Sequence, residues 1–248
     1  MIKLISNEWI IAFLINFILI LLAQNRLRIL TSKGWINAGV LGTLLWGCLG
    51  WQGWTSVVGY LFLGSVVTKI GFKSKAIVGL AESRGGQRSA ENVWGSAAVG
   101  SILAILYKMG LGNVEILLVG FAASFSAKLA DTFGSEIGKL YGKRAFLITN
   151  FTSVKPGVDG AISLPGTFAS LIGAILMTSI FLILGIISNS RVFIIVVFSG
   201  FIATLFESII GATFQKRFTL LTNEMVNAIQ TGISAFIAMI IFICINMS

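Results

Sequence analysis

The sequence predicts an all-α protein: a polytopic membrane helix bundle of about eight spans with ordered cytoplasmic loops, forming a single transmembrane domain over residues 1–248. Composition is the first reason. Hydrophobic residues make up 56% of the chain, charged residues only 11%, and the mean hydropathy is +0.95, whereas roughly a quarter of the residues of a soluble domain are charged. The second reason is the spacing of apolar runs, since a helix needs about 20 residues to cross about 30 Å of hydrocarbon. Such runs fall at 8–23, 35–49, 52–69, 91–107, 113–130, 166–187, 192–212 and 225–246. The third is the alternation of basic residues between connections. Those after the first, third, fifth and seventh spans hold Arg26, Arg28 and Lys33; Lys69, Lys73, Lys75, Arg84 and Arg88; Lys128, Lys139, Lys143, Arg144 and Lys155; and Lys216 and Arg217. Only Lys3, Lys108 and Arg191 fall on the opposite side. The positive-inside bias therefore places both termini outside and the four basic connections in the cytoplasm.

The first apolar run, Trp9–Ala23, follows Lys3 and Glu8 and lacks a small-residue cleavage site, so it reads as a span, not a removed signal peptide. Asn16 is its polar interior residue. The second and third spans carry Gly34, Gly39, Gly42, Gly47, Gly50, Gly53, Gly59 and Gly64, small residues that allow helices to approach closely. Trp51 and Trp54 beside Gln52 suit the outer interface. The fourth and sixth spans are generic. The fifth opens with a small face, Gly120, Ala122, Ala123, Ser124 and Ser126, that continues toward Asp131.

Several chemistries are excluded. The chain has no histidine, which removes His-based metal sites, His general bases and Ser-His-Asp triads. Cys48 and Cys244 are far apart in apolar segments and read as packing residues. The net charge of +9 is dispersed in short clusters between spans, so no nucleic-acid partner is expected. Membrane lipid is.

Polar chemistry is concentrated on the cytoplasmic side. Leu129–Gly138, Leu-Ala-Asp-Thr-Phe-Gly-Ser-Glu-Ile-Gly, places Asp131 and Glu136 at the end of a long apolar run, where carboxylates are costly unless they face a polar interior. Asp131 and Ser135 share a helix face with Lys128 and Gly138, while Glu136 lies well round from Asp131. Either the helix breaks at Gly134, or Asp131 binds an ion while Glu136 meets another residue. Pairing of Lys128 with Asp131, and of Glu136 with Lys139 or Lys143, accounts for the same residues. Upstream, Gly85-Gly86 is flanked by Arg84 and Arg88, with Ser89 placed to cap a helix beginning near Glu91-Asn92. Glycines, arginines and a helix N-terminus form a candidate phosphate cradle; an ordinary basic loop is the alternative. Thr149–Thr167 holds both prolines, with Lys155, Asp159 and Gly160, and reads as an ordered loop or re-entrant element. It is not a Walker loop. Glu207, near the inner end of the seventh span, needs a partner. Asn223 and Asn227 share a face of the last span at the same depth.

Three segments carry a family resemblance. Leu129–Gly138, the stretch Gly85–Gly95, and Asp159–Thr167 together with Glu207–Gln215 resemble the integral-membrane family that includes the phytyl-phosphate kinases of plants and cyanobacteria. The resemblance spans about 35–247. Where the family motif often has Asp, this chain has Glu207, which keeps the charge. The resemblance implies phosphoryl transfer from a nucleoside triphosphate, CTP, to phytyl phosphate, giving phytyl diphosphate for tocopherol and phylloquinone synthesis, in a plasma or thylakoid membrane.

The residues suit that chemistry. Asp131, Glu136, Asp159 and Glu207 are the candidate catalytic and metal-binding carboxylates, suited to Mg²⁺ shared with substrate phosphates. Arg84, Gly85, Gly86, Arg88, Ser89, Asn92, Lys128, Ser135, Lys155, Gly160, Thr167, Asn223 and Asn227 are the candidate substrate- and phosphate-binding residues. The acceptor is already an anion, so the missing histidine is no obstacle. A kinase or cytidylyltransferase for another isoprenoid or lipid alcohol stays open, as a matter for substrate assays. A transporter of an anionic metabolite would require polar residues on both sides and inverted repeats, and the sequence has neither.

Overall fold

A computed structural model describes residues 7–215, 218 and 221–247; Lys3, Lys216 and Arg217 of the charge pattern lie outside them. Helices α1 (Asn7–Ala23), α2 (Ser32–Lys69), α4 (Ala90–Met109), α5 (Val114–Tyr141), α6 (Leu164–Ile183), α7 (Ser190–Ile210) and α8 (Asn223–Asn246) form the bundle, with a six-residue α3 (Phe72–Ile77) on the connection after α2. α5, α6, α8 and α7 with its π-helical extension Gly211–Gln215 are long and apolar enough to cross a membrane. α1 is apolar but shorter. The glycine-rich α2 accounts for two of the expected spans. Its chain turns at Gly50 (φ +71°, ψ −170°), and Gly34 near its start and Gly64 near its end both pack on Arg88. A left-handed φ is open to glycine at little steric cost.

The bundle is organised around α5, buried without interruption from Val119 to Ala130. Its neighbours are α2, α4, α6, α7 and α8. The closest seam is with α6, antiparallel to it. A Cβ on Gly166 would stand 2.9 Å from the Gly134 carbonyl oxygen, and one on Gly173 would stand 2.8 Å from that of Leu129. Small residues are what permit two backbones to come this near without a hydrophobic driving force. Hydroxyls and amides add polar links: Ser234 donates to the Ala123 carbonyl at 2.8 Å, Gln230 to that of Ala127 at 3.2 Å, and Ser126 faces Thr178 at 3.2 Å. Phe121, Phe125, Phe181 and Tyr60 fill the middle with edge-on or tilted ring contacts. Asn16 accepts from the Trp54 indole at 3.1 Å and holds α1 against α2. Trp54 therefore has its partner inside the bundle, while Trp51 is exposed as expected at an interface. Cys48 is a packing residue, but Cys244 is exposed.

Two local expectations change. α5 does not break at Gly134, because that glycine is where α6 presses against it. The Thr149–Thr167 segment is only partly loop. With the preceding residues it makes a small antiparallel sheet in the order β2 (Ser153–Val154), β1 (Ala145–Leu147), β3 (Ala161–Ile162). Ser163 then caps α6 by accepting from the Gly166 N–H, and Pro165 stands in the first turn, where its missing N–H does no harm.

Candidate active site

At the end of the bundle where the basic connections gather, a cavity of about 470 Å³ opens. Its walls come from the C-terminal halves of α5 and α7, the N-terminal turns of α4, α6 and α8, the turn Ser83–Gly86 and the loop 156–163. The lining is dominated by polar side chains, in a protein whose other faces are largely apolar. A second cavity, of about 430 Å³, lies beside α7 and α8 and is lined by Ile210, Phe214, Phe218, Leu221, Met225 and Ile229.

The arginine segment enters the polar cavity by an unusual backbone. Arg84, Gly85 and Gly86 have successive φ values of +54°, +64° and +79°, a conformation that a side-chain-bearing residue adopts only when held there. Lys69 donates to the Gly85 carbonyl at 2.9 Å, and Arg84 donates to Asn92 Oδ1 at 3.0 Å. Ser89 and Asn92 form a capping box at the start of α4. Asn92 then donates to Glu224 Oε1 at 3.0 Å, possible because Gly95 lets the start of α8 lie on α4. Arg88 turns inward. Its guanidinium lies 4.9 Å from the Tyr60 ring centroid and donates to the Tyr60 hydroxyl, which donates to Ser96 at 3.1 Å.

On the opposite wall, buried Lys128 donates to Asp131 Oδ2 and, at 2.9 Å, to Asn227 Oδ1. Asp159 reaches the same cavity because Gly160 (φ +75°) seats its loop on the end of α7: a Cβ there would stand 2.5 Å from the Ser208 carbonyl oxygen. Glu207 lines the cavity one turn earlier, close enough to Asp131 and Asp159 to feel both charges. At the rim, burial works against ionisation of Glu82, but the Lys139 ammonium outweighs it and holds the carboxyl below the usual carboxylate range.

The integral membrane protein family DUF92 matches residues 15–235. The chain belongs to that family. It is 43% identical to the uncharacterized membrane protein sll0875 of Synechocystis, over 94% of this chain and 91% of that one. It is 38% identical to the chloroplastic protein VTE6 of Arabidopsis thaliana, over 85% of this chain and 65% of VTE6. It is 30% identical to the membrane protein MJ0933 of Methanocaldococcus jannaschii, over 87% of each chain. No solved structure matches.

In this DUF92 chain the cavity collects Asp131, Asp159, Glu207, Arg84, Gly86, Arg88, Asn92, Lys128, Ser135, Gly160, Thr167, Asn223 and Asn227. It does not collect every candidate. Gly85 shapes the turn and accepts from Lys69, Ser89 caps α4, and Lys155 is exposed outside the lining. Glu136 lies at the cavity wall, but one carboxylate oxygen faces Lys75 and the other Lys139. The four proposed metal-binding carboxylates therefore do not form one ligand set, and among the described residues no three acidic side chains converge on a point. Asn223 accepts from Gln215, while Asn227 meets Lys128. Glu82, Ser163, Ser170, Ser208 and Glu224 are lining residues that the sequence did not single out. Lys139, also in the lining, is one of the two partners that spacing offered for Glu136. Glu224 had no such signal, since its link to Asn92 crosses 132 positions.

Proposed function

We propose that this protein is a phosphotransferase that converts a prenyl monophosphate, phytyl phosphate, to its diphosphate, with CTP as donor, at the cytoplasmic face of its membrane. One observation carries the reading. Scarce ionisable side chains from α5, α7, α8 and two connecting segments line a single polar cavity at the basic end of a membrane bundle. Kinship to VTE6 and the motif resemblance to phytyl-phosphate kinases support it, and the apolar cavity at the same end of α7 and α8 suits a substrate with a hydrocarbon chain.

In the reaction an oxygen of the prenyl phosphate attacks the γ-phosphorus of the nucleotide. The bond from that phosphorus to the β–γ bridging oxygen breaks, and the nucleoside diphosphate leaves. Such transfer needs alignment and charge neutralisation more than covalent help. Arg84 offers a planar fork at the rim, suited to bidentate phosphate contact. Arg88 and Lys128 supply positive charge from the inner wall, their positions fixed by Tyr60, Asp131 and Asn227. The oxygen-only donors Asp131, Asp159 and Glu207, without three converging on one point, fit Mg²⁺ held by one or two carboxylates with phosphates and waters as its other ligands. When bound there, the ion would supply neutralisation of the phosphate charges. One or two of Asp131, Asp159 and Glu207 would hold it, and its charge would offset the repulsion among them.

Purified protein in detergent, given Mg²⁺, CTP and phytyl phosphate, is expected to form phytyl diphosphate and CDP, read by mass spectrometry. A panel of prenyl phosphates and nucleotides fixes chain length and donor. Absence of turnover across the whole panel would overturn the reading.

A further inference from the structure

Beside the cavity a line of four alternating charges runs inward from the rim. Lys75 and Glu136, at 1% and 2% exposure, form an ion pair under α3, and Lys75 also donates to the Thr68 carbonyl at 3.1 Å. The other oxygen of Glu136 is 3.5 Å from the Lys139 ammonium, which reaches Glu82 at 2.6 Å. A divalent cation approaching Glu136 would meet two ammonium groups already in place. Such a chain needs a reason, because a buried ion pair is no more stabilising than well-packed apolar residues. What it offers instead is a fixed register between elements. α3 has only six residues, too few to hold as an isolated helix, and Lys75 ties it to α5. At the other end Glu82 immediately precedes the left-handed turn, in which Arg84 takes a backbone conformation that must be imposed from outside.

We propose that Lys75, Glu136, Lys139 and Glu82 are positioning residues, a charge-alternating latch that docks α3 and the Arg84–Gly86 turn onto α5 and so keeps Arg84 at the cavity; Glu136 is not a metal ligand. Only the kinetic test below rests on the phosphotransferase reading. The same latch accounts for the Glu82 carboxyl being held below its usual range by Lys139.

Limited trypsin digestion of the full chain in detergent, followed by mass spectrometry, reads release of the turn as cleavage after Arg84. Glu82→Gln and Lys139→Met are expected to speed that cleavage several-fold, and Lys139→Arg to keep the protection. Thermal unfolding reads the buried end. Lys75→Met and Glu136→Gln should each lower Tm, and the double variant should recover most of the loss because no buried charge is left unpaired. With phosphotransfer as readout, Lys139→Met should raise the KM for nucleotide on the order of tenfold, as expected for a weakened charged contact, with kcat nearly unchanged. The proposal is overturned if Glu82→Gln leaves cleavage unaltered, if the double variant is as unstable as Glu136→Gln alone, or if Lys139→Met lowers kcat with KM unchanged. Without any turnover the proteolysis and unfolding results still decide it.

Discussion

Glu207 is the residue on which the chemistry can be probed with least damage to the fold. Its carboxylate lines the cavity, and its charged neighbours there include Asp131 and Asp159 as well as Lys128. Glu207→Gln keeps the volume and removes the carboxyl that shares the cavity with Asp131 and Asp159. The expected result is a fall in kcat on the order of a hundredfold or more, typical of losing a group that manages charge in the transition state, with Tm unchanged or raised. Steady-state kinetics beside a melting curve checks it, and full activity would remove Glu207 from the site. Asp131 is a harder probe, because its loss also strips Lys128 of its counter-charge and confounds activity with stability. The pairing of Lys128 with Asp131 was legible in the three-residue spacing. The partner of Glu136 was half legible: Lys139 follows by the same spacing, but Lys75 is 61 positions away, and no local pattern reaches that far.

At the scale of elements, the seam between α5 and α6 decides where the cavity sits. Gly166 lies where the two backbones nearly touch, with rigid main-chain atoms at 2.9 Å and 3.3 Å from any added Cβ. Gly166→Ala is therefore expected to destabilise the protein by about 1–3 kcal/mol through overpacking, measured as denaturant or thermal unfolding in detergent. Gly185 is the contrasting position, since its φ is +71° but nothing lies within 4 Å. Gly185→Ala should lose only the left-handed backbone term, about 1–2 kcal/mol, and leave activity intact. Sequence patterns located the apolar runs, but left open the continuation of α5 over 130–141 and missed α3, the short sheet β2-β1-β3 and the exact start of α6. Strands of two or three residues have no readable period, and they exist because their neighbours supply hydrogen-bond partners.

For the whole molecule, the cavity-bearing connections and the loop between α6 and α7 should lie on opposite sides of the membrane. In a Cys48→Ala/Cys244→Ser background, Ser188→Cys should react with an impermeant maleimide on intact cells, while Ser83→Cys should react only after permeabilisation. Labelling of both from one side would refute the eight-span arrangement. Hydropathy and charge placement were enough to predict an all-α membrane protein with its polar chemistry at one end, because burying backbone in hydrocarbon leaves a single chain few alternatives to helices and basic residues resist translocation. They were also enough to single out Asp131, Glu136 and Glu207, since a carboxylate near hydrocarbon is costly, while Asp159 stood out from the turn residues around it. Which carboxylates face one cavity, that Glu136 is enclosed by Lys75 and Lys139, and that Asn92 meets Glu224 were decided by packing alone. Those relations depend on which helices touch and at what rotation, and that is set by contacts between side chains far apart in the chain.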